Sequence, residues 1–199
     1  MLMQNESEMT QKPNNYDNVQ TGEFVPAMTG GHHIIIKGVK ETKTKTGKDM
    51  IVVAFDFAKN DRQPGYFSEL FEKDIRPDKK WPYAGTQYIV VTDKDNNTSK
   101  SFKSFITSVE NSNKGFKAAW GAVFCDQFKN KLVGGVYGIV ESEYNGERKK
   151  RSQLRWFCED SKADSATTPE PKLMPNNNVT QSADGFLNVP SGTDEEVPF

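Results

Sequence analysis

The sequence is poor in the residues that most often carry catalysis or bind metal. It has 2 cysteines and 2 histidines among 199 residues. Cys125, Cys158, His32 and His33 are too few and too badly spaced to supply the four convergent ligands of a structural zinc site. No secretory signal peptide is recognisable, so no disulfide is expected between the two thiols. No apolar run approaches the ~20 residues of a membrane-spanning helix. These features predict a soluble, cytoplasmic protein with no metal and no cofactor. A phosphate loop is missing too: Gly47-Lys48-Asp49 has no glycine five positions before Gly47, and Asp stands where Ser or Thr is required.

Net charge is nearly absent, with 26 basic and 27 acidic residues giving -1. That balance conceals a segregation. Residues 1–23 carry net -3, residues 24–158 carry 23 basic against 15 acidic residues (net +8), and residues 159–199 carry net -6. A basic body between acidic ends is suited to holding a polyanion. The length suits one domain with a real core. Residues 1–21 read as a polar, disordered leader and 22–160 as the folded body. Residues 161–199 read as a disordered acidic tail, because Ser161 to Thr193 has too little apolar surface to offset its ordering entropy.

Within the body, β-branched density predicts a first strand over His32–Lys40, followed by the basic connection Glu41–Lys48. A second strand, Asp49–Ala58, places Ile51, Val53, Phe55 and Phe57 on one face, read as core. Gly65–Glu72, with three aromatics, reads as a third strand, and Gln87–Thr92 as a further short one. Ser101–Ser112 reads as a helix, since Phe102, Phe105, Ile106 and Val109 fall at i, i+3, i+4 and i+7. Phe116, Trp120, Phe124 and Phe128 are the expected packing anchors of an irregular segment. A long strand, Leu132–Tyr144, turns at Asn145-Gly146 into the basic cluster Arg148–Arg151 and a last strand, Ser152–Cys158.

These elements predict a mainly β chain. The expected fold is an OB-like five-stranded barrel, closed or partly closed, with one helix between strands three and four. The groove of such a barrel is flanked by the connections between strands 1 and 2 and between strands 4 and 5. Here those connections hold Lys43, Lys45 and Lys48, and Arg148, Lys149, Lys150 and Arg151. Lys and Arg can follow phosphates while aromatic faces stack on unpaired bases, so the expected ligand is single-stranded nucleic acid bound without sequence reading. The candidate stackers are Tyr66, Phe67, Trp81, Tyr83 and Trp156, with Lys79, Lys80 and Arg155 beside them.

The chain ends Asp194-Glu195-Glu196-Val197-Pro198-Phe199, three carboxylates before a terminal aromatic. A basic, apolar-floored pocket in a partner can hold such a peptide. The ending resembles the Asp-Asp-Asp-Ile-Pro-Phe tip of bacterial and phage single-stranded DNA-binding proteins, with Glu at two of the Asp positions and Val for Ile. The resemblance implies that the tip recruits replication, recombination and repair proteins such as a helicase, polymerase, recombinase or nuclease. Gly65–Leu70, Trp81–Thr86 and Ser104–Glu110 are similar to a phage-encoded family often catalogued as a domain of unknown function and thought to bind single-stranded DNA. That similarity spans roughly residues 22–158. It implies a bacteriophage protein of the host bacterial cytoplasm that coats and protects single-stranded DNA, with homo-oligomers possible. Two rivals stand beside it. One is a strand-annealing or recombination mediator. The other is a metal-dependent nuclease built on Asp56, Asp61, Glu69 and Asp74; the chain is not expected to be an enzyme.

Overall fold

The computed structural model describes Lys12 and residues 24–175. The expected leader apart from Lys12, and the expected docking residues Asp194, Glu195, Glu196, Val197, Pro198 and Phe199, lie outside the described residues. Five antiparallel strands form one sheet: β1 (Gly30–Lys43), β2 (Asp49–Phe57), β3 (Thr86–Val90), β4 (Leu132–Tyr144) and β5 (Glu147–Cys158). Their spatial order is β3-β2-β1-β4-β5. This is OB strand order with β1 in the middle. Among the described residues no ladder joins β3 to β5, so the sheet is open, consistent with the partly closed form of the expected OB-like barrel.

The inner face is the core. Ile34, Ile36, Ile51, Val53, Phe55, Phe57, Val133 and Tyr137 are all essentially inaccessible, and the odd-numbered face of β2 is buried as expected. Each such side chain contributes roughly 1.5–3 kcal/mol of transfer free energy. Helix α2 (Lys100–Ser112) falls between β3 and β4 and buries Phe102, Phe105, Ile106 and Val109. Ser99 caps its start by accepting from Phe102 N, and Asn113 stops it. The Asn113 amide donates to the carbonyls of Val109 and Leu132 and accepts from Leu132 N, tying the helix end to the first residue of β4.

The segment expected as a third strand is a helix, α1 (Tyr66–Lys73). Gly65 precedes it in the left-handed region (φ 69°) with no local side-chain cap. The cap comes from β2. Buried Asp56 accepts from Phe67 N at 2.8 Å, from Ser68 N at 3.1 Å and from the Ser68 hydroxyl. A carboxylate there satisfies the first-turn N–H groups and suits the helix dipole. Phe67 then drops into the core against Phe55 and Phe57. Gly85 leaves room for it, since a Cβ at that position would lie 2.7 Å from the Phe67 ring.

Two neighbouring histidines point to opposite sides of β1. His32 is fully buried, its Nδ1 3.0 Å from Asp61 and its Nε2 2.9 Å from the Met28 carbonyl. Asp61 also accepts from the backbone N–H groups of His33 and Gln63. Burial pushes the Asp61 carboxyl up, but those donors outweigh it and leave the pKa below the ordinary value. Cys125 and Cys158 are free thiols. No helix among the described residues is long and apolar enough to cross a membrane.

Candidate nucleic-acid interface

Both basic connections are hairpins, and they leave the sheet in opposite directions. The register pairs Gly30 with Tyr137 and Ile35 with Leu132, so β4 runs on past the Gly30 end of β1. The β1–β2 hairpin extends past the other end. Its turn is tight, with Thr44 N donating to the Lys48 carbonyl and Gly47 at φ 83°. Lys43 lies in β1 and meets Asp49 at 2.6 Å in an exposed ion pair, while Lys45 and Lys48 sit in the turn.

Asn145 and Gly146, at φ 52° and 77°, make the two-residue turn between β4 and β5. The basic cluster expected in that connection is strand. Arg148, Lys149, Lys150 and Arg151 pair with Glu143, Ser142, Glu141 and Val140, and all four are exposed. By the period of two, Lys149 and Arg151 share one face, Arg148 and Lys150 the other. Further along β5 the register shifts between Val136 and Tyr137, which face Trp156 and Leu154. Arg155 is the extra residue of this β-bulge, so it and Trp156 do not alternate between the two faces as neighbours in a regular strand do. A bulge re-aims side chains, and both lie on the outer face. A Cβ on outward-facing Gly138 would lie 3.2 Å from Arg155 Cγ, and Trp156 lines a cavity with outward-facing Val136.

The five candidate stackers divide. Phe67 is corrected outright, because it is fully buried and presents no face to a ligand. Tyr66 is half-buried, with its hydroxyl donating to the Val25 carbonyl and its ring stacked on Phe57. Trp81 is half-buried, its indole N–H directed at the carbonyls of Phe55 and Gly85. Its ring packs 5.6 Å from Phe71, over which Lys79 sits at 4.7 Å, and Lys80 is exposed alongside. Tyr83 and Trp156 do present faces, at 56% and 46% exposure. Tyr83 lies 6.5 Å from Tyr88, an aromatic of β3 that the sequence reading passed over. Trp120, expected to pack, is 68% exposed and stacked on Phe124. Aromatic spacing marked Trp120 but not which side of the chain it would face.

The expected tether from Ser161 is corrected as far as Pro175. Residues 159–175 form a strap across the outer face of the sheet. Glycines make the fit possible: a Cβ on Gly134 would lie 2.6 Å from the Glu159 carbonyl oxygen, one on Gly138 would lie 2.5 Å from Pro169, and one on Gly31 would overlap the Ala163 carbonyl. Ala163 is buried in the result. Asp160 N donates to the Ser112 hydroxyl, and Arg155 donates to the Glu170 carbonyl at 3.1 Å. Lys172 then exchanges two backbone bonds with β4, at Ile139 and Glu141, and Arg148 donates to the Pro175 carbonyl. The strap is fastened to β1 by His33, whose Nδ1 lies 2.8 Å from Asp160 and whose Nε2 lies 3.2 Å from Asp164. Burial pulls the His33 pKa down, but the two carboxylates outweigh it and leave it raised.

The acids that could have formed a nuclease centre are engaged elsewhere. Asp56 caps α1, Asp61 holds His32, Glu69 pairs with Lys73 at 3.3 Å, and Asp74 is held down to about 2 by Arg76. No protein-family model matches the chain, and no curated protein matches it.

Proposed function

We propose that the chain is a sequence-independent single-stranded DNA-binding protein, of the phage-encoded kind its sequence resembles, that coats and protects DNA and recruits replication or recombination enzymes through Asp194–Phe199. One observation carries this reading: β5 holds an exposed basic run, Arg148–Arg151, that leads through bulged Arg155 to the exposed ring of Trp156. Cations spaced along a strand follow a phosphate backbone, and an aromatic face beside them takes an unpaired base without reading it. Lys43 and Lys45 at the far hairpin, with exposed Tyr83, extend the same chemistry to the other end of the sheet. The engagement of Asp56, Asp61, Glu69 and Asp74 in structural contacts supports binding over hydrolysis.

A salt series of binding to labelled single-stranded and duplex oligonucleotides tests the reading on the full chain. Neutralising roughly six phosphates of a single strand gives a slope near -4 for log affinity against log salt. A salt-independent affinity, or magnesium-dependent cleavage of the strand, overturns it. Deleting Phe199 alone is expected to spare DNA binding and abolish partner capture.

A further inference from the structure

Resting on the single-stranded DNA reading, we propose that the slot between Trp156 and the strap is a seat for one unpaired nucleobase, with the indole as its floor and the strap as its second wall. The slot is an open cavity of about 410 Å³ between the outer face of β4–β5 and the strap. That is within the roughly 300–1,000 Å³ of small-ligand clefts. Val136 and Trp156 form the sheet side, and Ser165, Thr167, Thr168 and Pro169 face them from the strap. Trp156 differs from Trp81 in the way that matters here. Trp81 spends its indole N–H on two carbonyls, whereas no hydrogen bond anchors Trp156 among the described residues, and its ring is 46% exposed within a built cavity.

The charges are placed for the phosphates on either side of such a base. The bulge brings Arg155 to the outer face beside Trp156, and Arg151 and Lys149 continue that face towards the hairpin. Lys162 lines the slot from the strap, paired with Glu159 at 3.0 Å while 64% exposed. An exposed pair of this kind is worth at most about 1 kcal/mol, so Lys162 can exchange it for a phosphate. The strap's hydroxyls donate or accept as required. A wall of that composition hydrogen-bonds any base edge, which matches binding without sequence preference.

The test measures binding of the full-length protein to a labelled oligothymidylate and to an abasic strand of equal length. Trp156→Ala is expected to weaken oligothymidylate binding about tenfold, from the loss of one stacked base. Trp156→Phe should stay within about threefold of wild type, because a phenyl ring still stacks. Ala166→Phe, which fills the slot from the strap side and leaves Trp156 in place, should weaken oligothymidylate binding like Trp156→Ala. None of the three should change affinity for the abasic strand, which has nothing to seat. Trp156→Ala binding oligothymidylate as wild type does, or losing equally on both strands, overturns the slot and leaves the DNA-binding reading standing. Wild-type protein that binds neither strand overturns both.

Discussion

The inner face of the sheet carries Phe55, Phe57, Tyr137 and Leu154, whereas its outer face carries Gly31, Gly134, Val136 and Gly138. One face is filled by large side chains that interlock with α1 and α2. The other is cleared of side chains at Gly31, Gly134 and Gly138, so that the strap's backbone can lie close against it there. Dispersion and burial hold the first. A few polar fasteners and a close fit hold the second. The adjacent histidines repeat the contrast, since His32 points inward to a buried carboxylate and His33 outward to the strap. The same alternation that builds the core therefore also builds a detachable cover.

The difference predicts global effects from the core side and local ones from the strap side. The largest is expected for Asp56→Ala, which strands two backbone N–H groups and the Ser68 hydroxyl at the start of α1 and the Phe57 N–H at the end of β2. Chemical denaturation should show a loss of about 3 kcal/mol or more. Asp61→Ala leaves buried His32 without its carboxylate and should cost about 2 kcal/mol in the same assay. A native-like midpoint for either variant would place the stability of the core elsewhere.

Gly31→Val is expected to act only outside. Its side chain overlaps the Ala163 carbonyl, so the strap lifts. Global stability should fall by about 1 kcal/mol while amide exchange over residues 160–172 rises to that of an open segment. Equal loss of protection in the inner strands would erase the distinction between the faces.

The smallest effect is that of pH on His33. With a carboxylate at each ring nitrogen, its folded pKa lies above the unfolded value near 6.5. The fastening is complete below that value while Asp160 and Asp164 remain ionised, and it is lost as pH rises through the folded pKa. Amide protection of the strap should therefore decrease on going from mildly acid to mildly alkaline solution. In His33→Gln it should be flat over that range, and a wild-type profile without slope would remove the latch.

How much of this was legible in the sequence follows from how local each signal is. The core face of β2 and the buried face of α2 are periodic within a single element, and the Asn145-Gly146 turn is its own signature, so all three could be read directly. Helix α1 could not, because its cap comes from Asp56, across the β2–α1 turn, and its crowded aromatics match a strand as well as a helix. The basic cluster was visible, but its place within β5 and the shared face of Arg155 and Trp156 depend on a bulge that only the pairing with β4 defines. The strap was hidden by its composition. Ser, Thr, Pro and Asp signal a solvated tail, yet this segment packs through Ala163, Pro169 and main chain onto Gly31 of β1 and Gly134 and Gly138 of β4. The glycines and the strap are one feature, separated by about twenty residues or more, and neither half discloses the other.

The two backbone bonds at Lys172 have a consequence for association between chains. Beyond Tyr137, β4 has no β1 partner, and the strap occupies that edge at Ile139 and Glu141. An uncovered strand edge is a template for pairing with another molecule. The strap thus acts as an edge guard, and a chain clipped between Ser161 and Lys172 is expected to self-associate through β4 even though every residue of its core is intact.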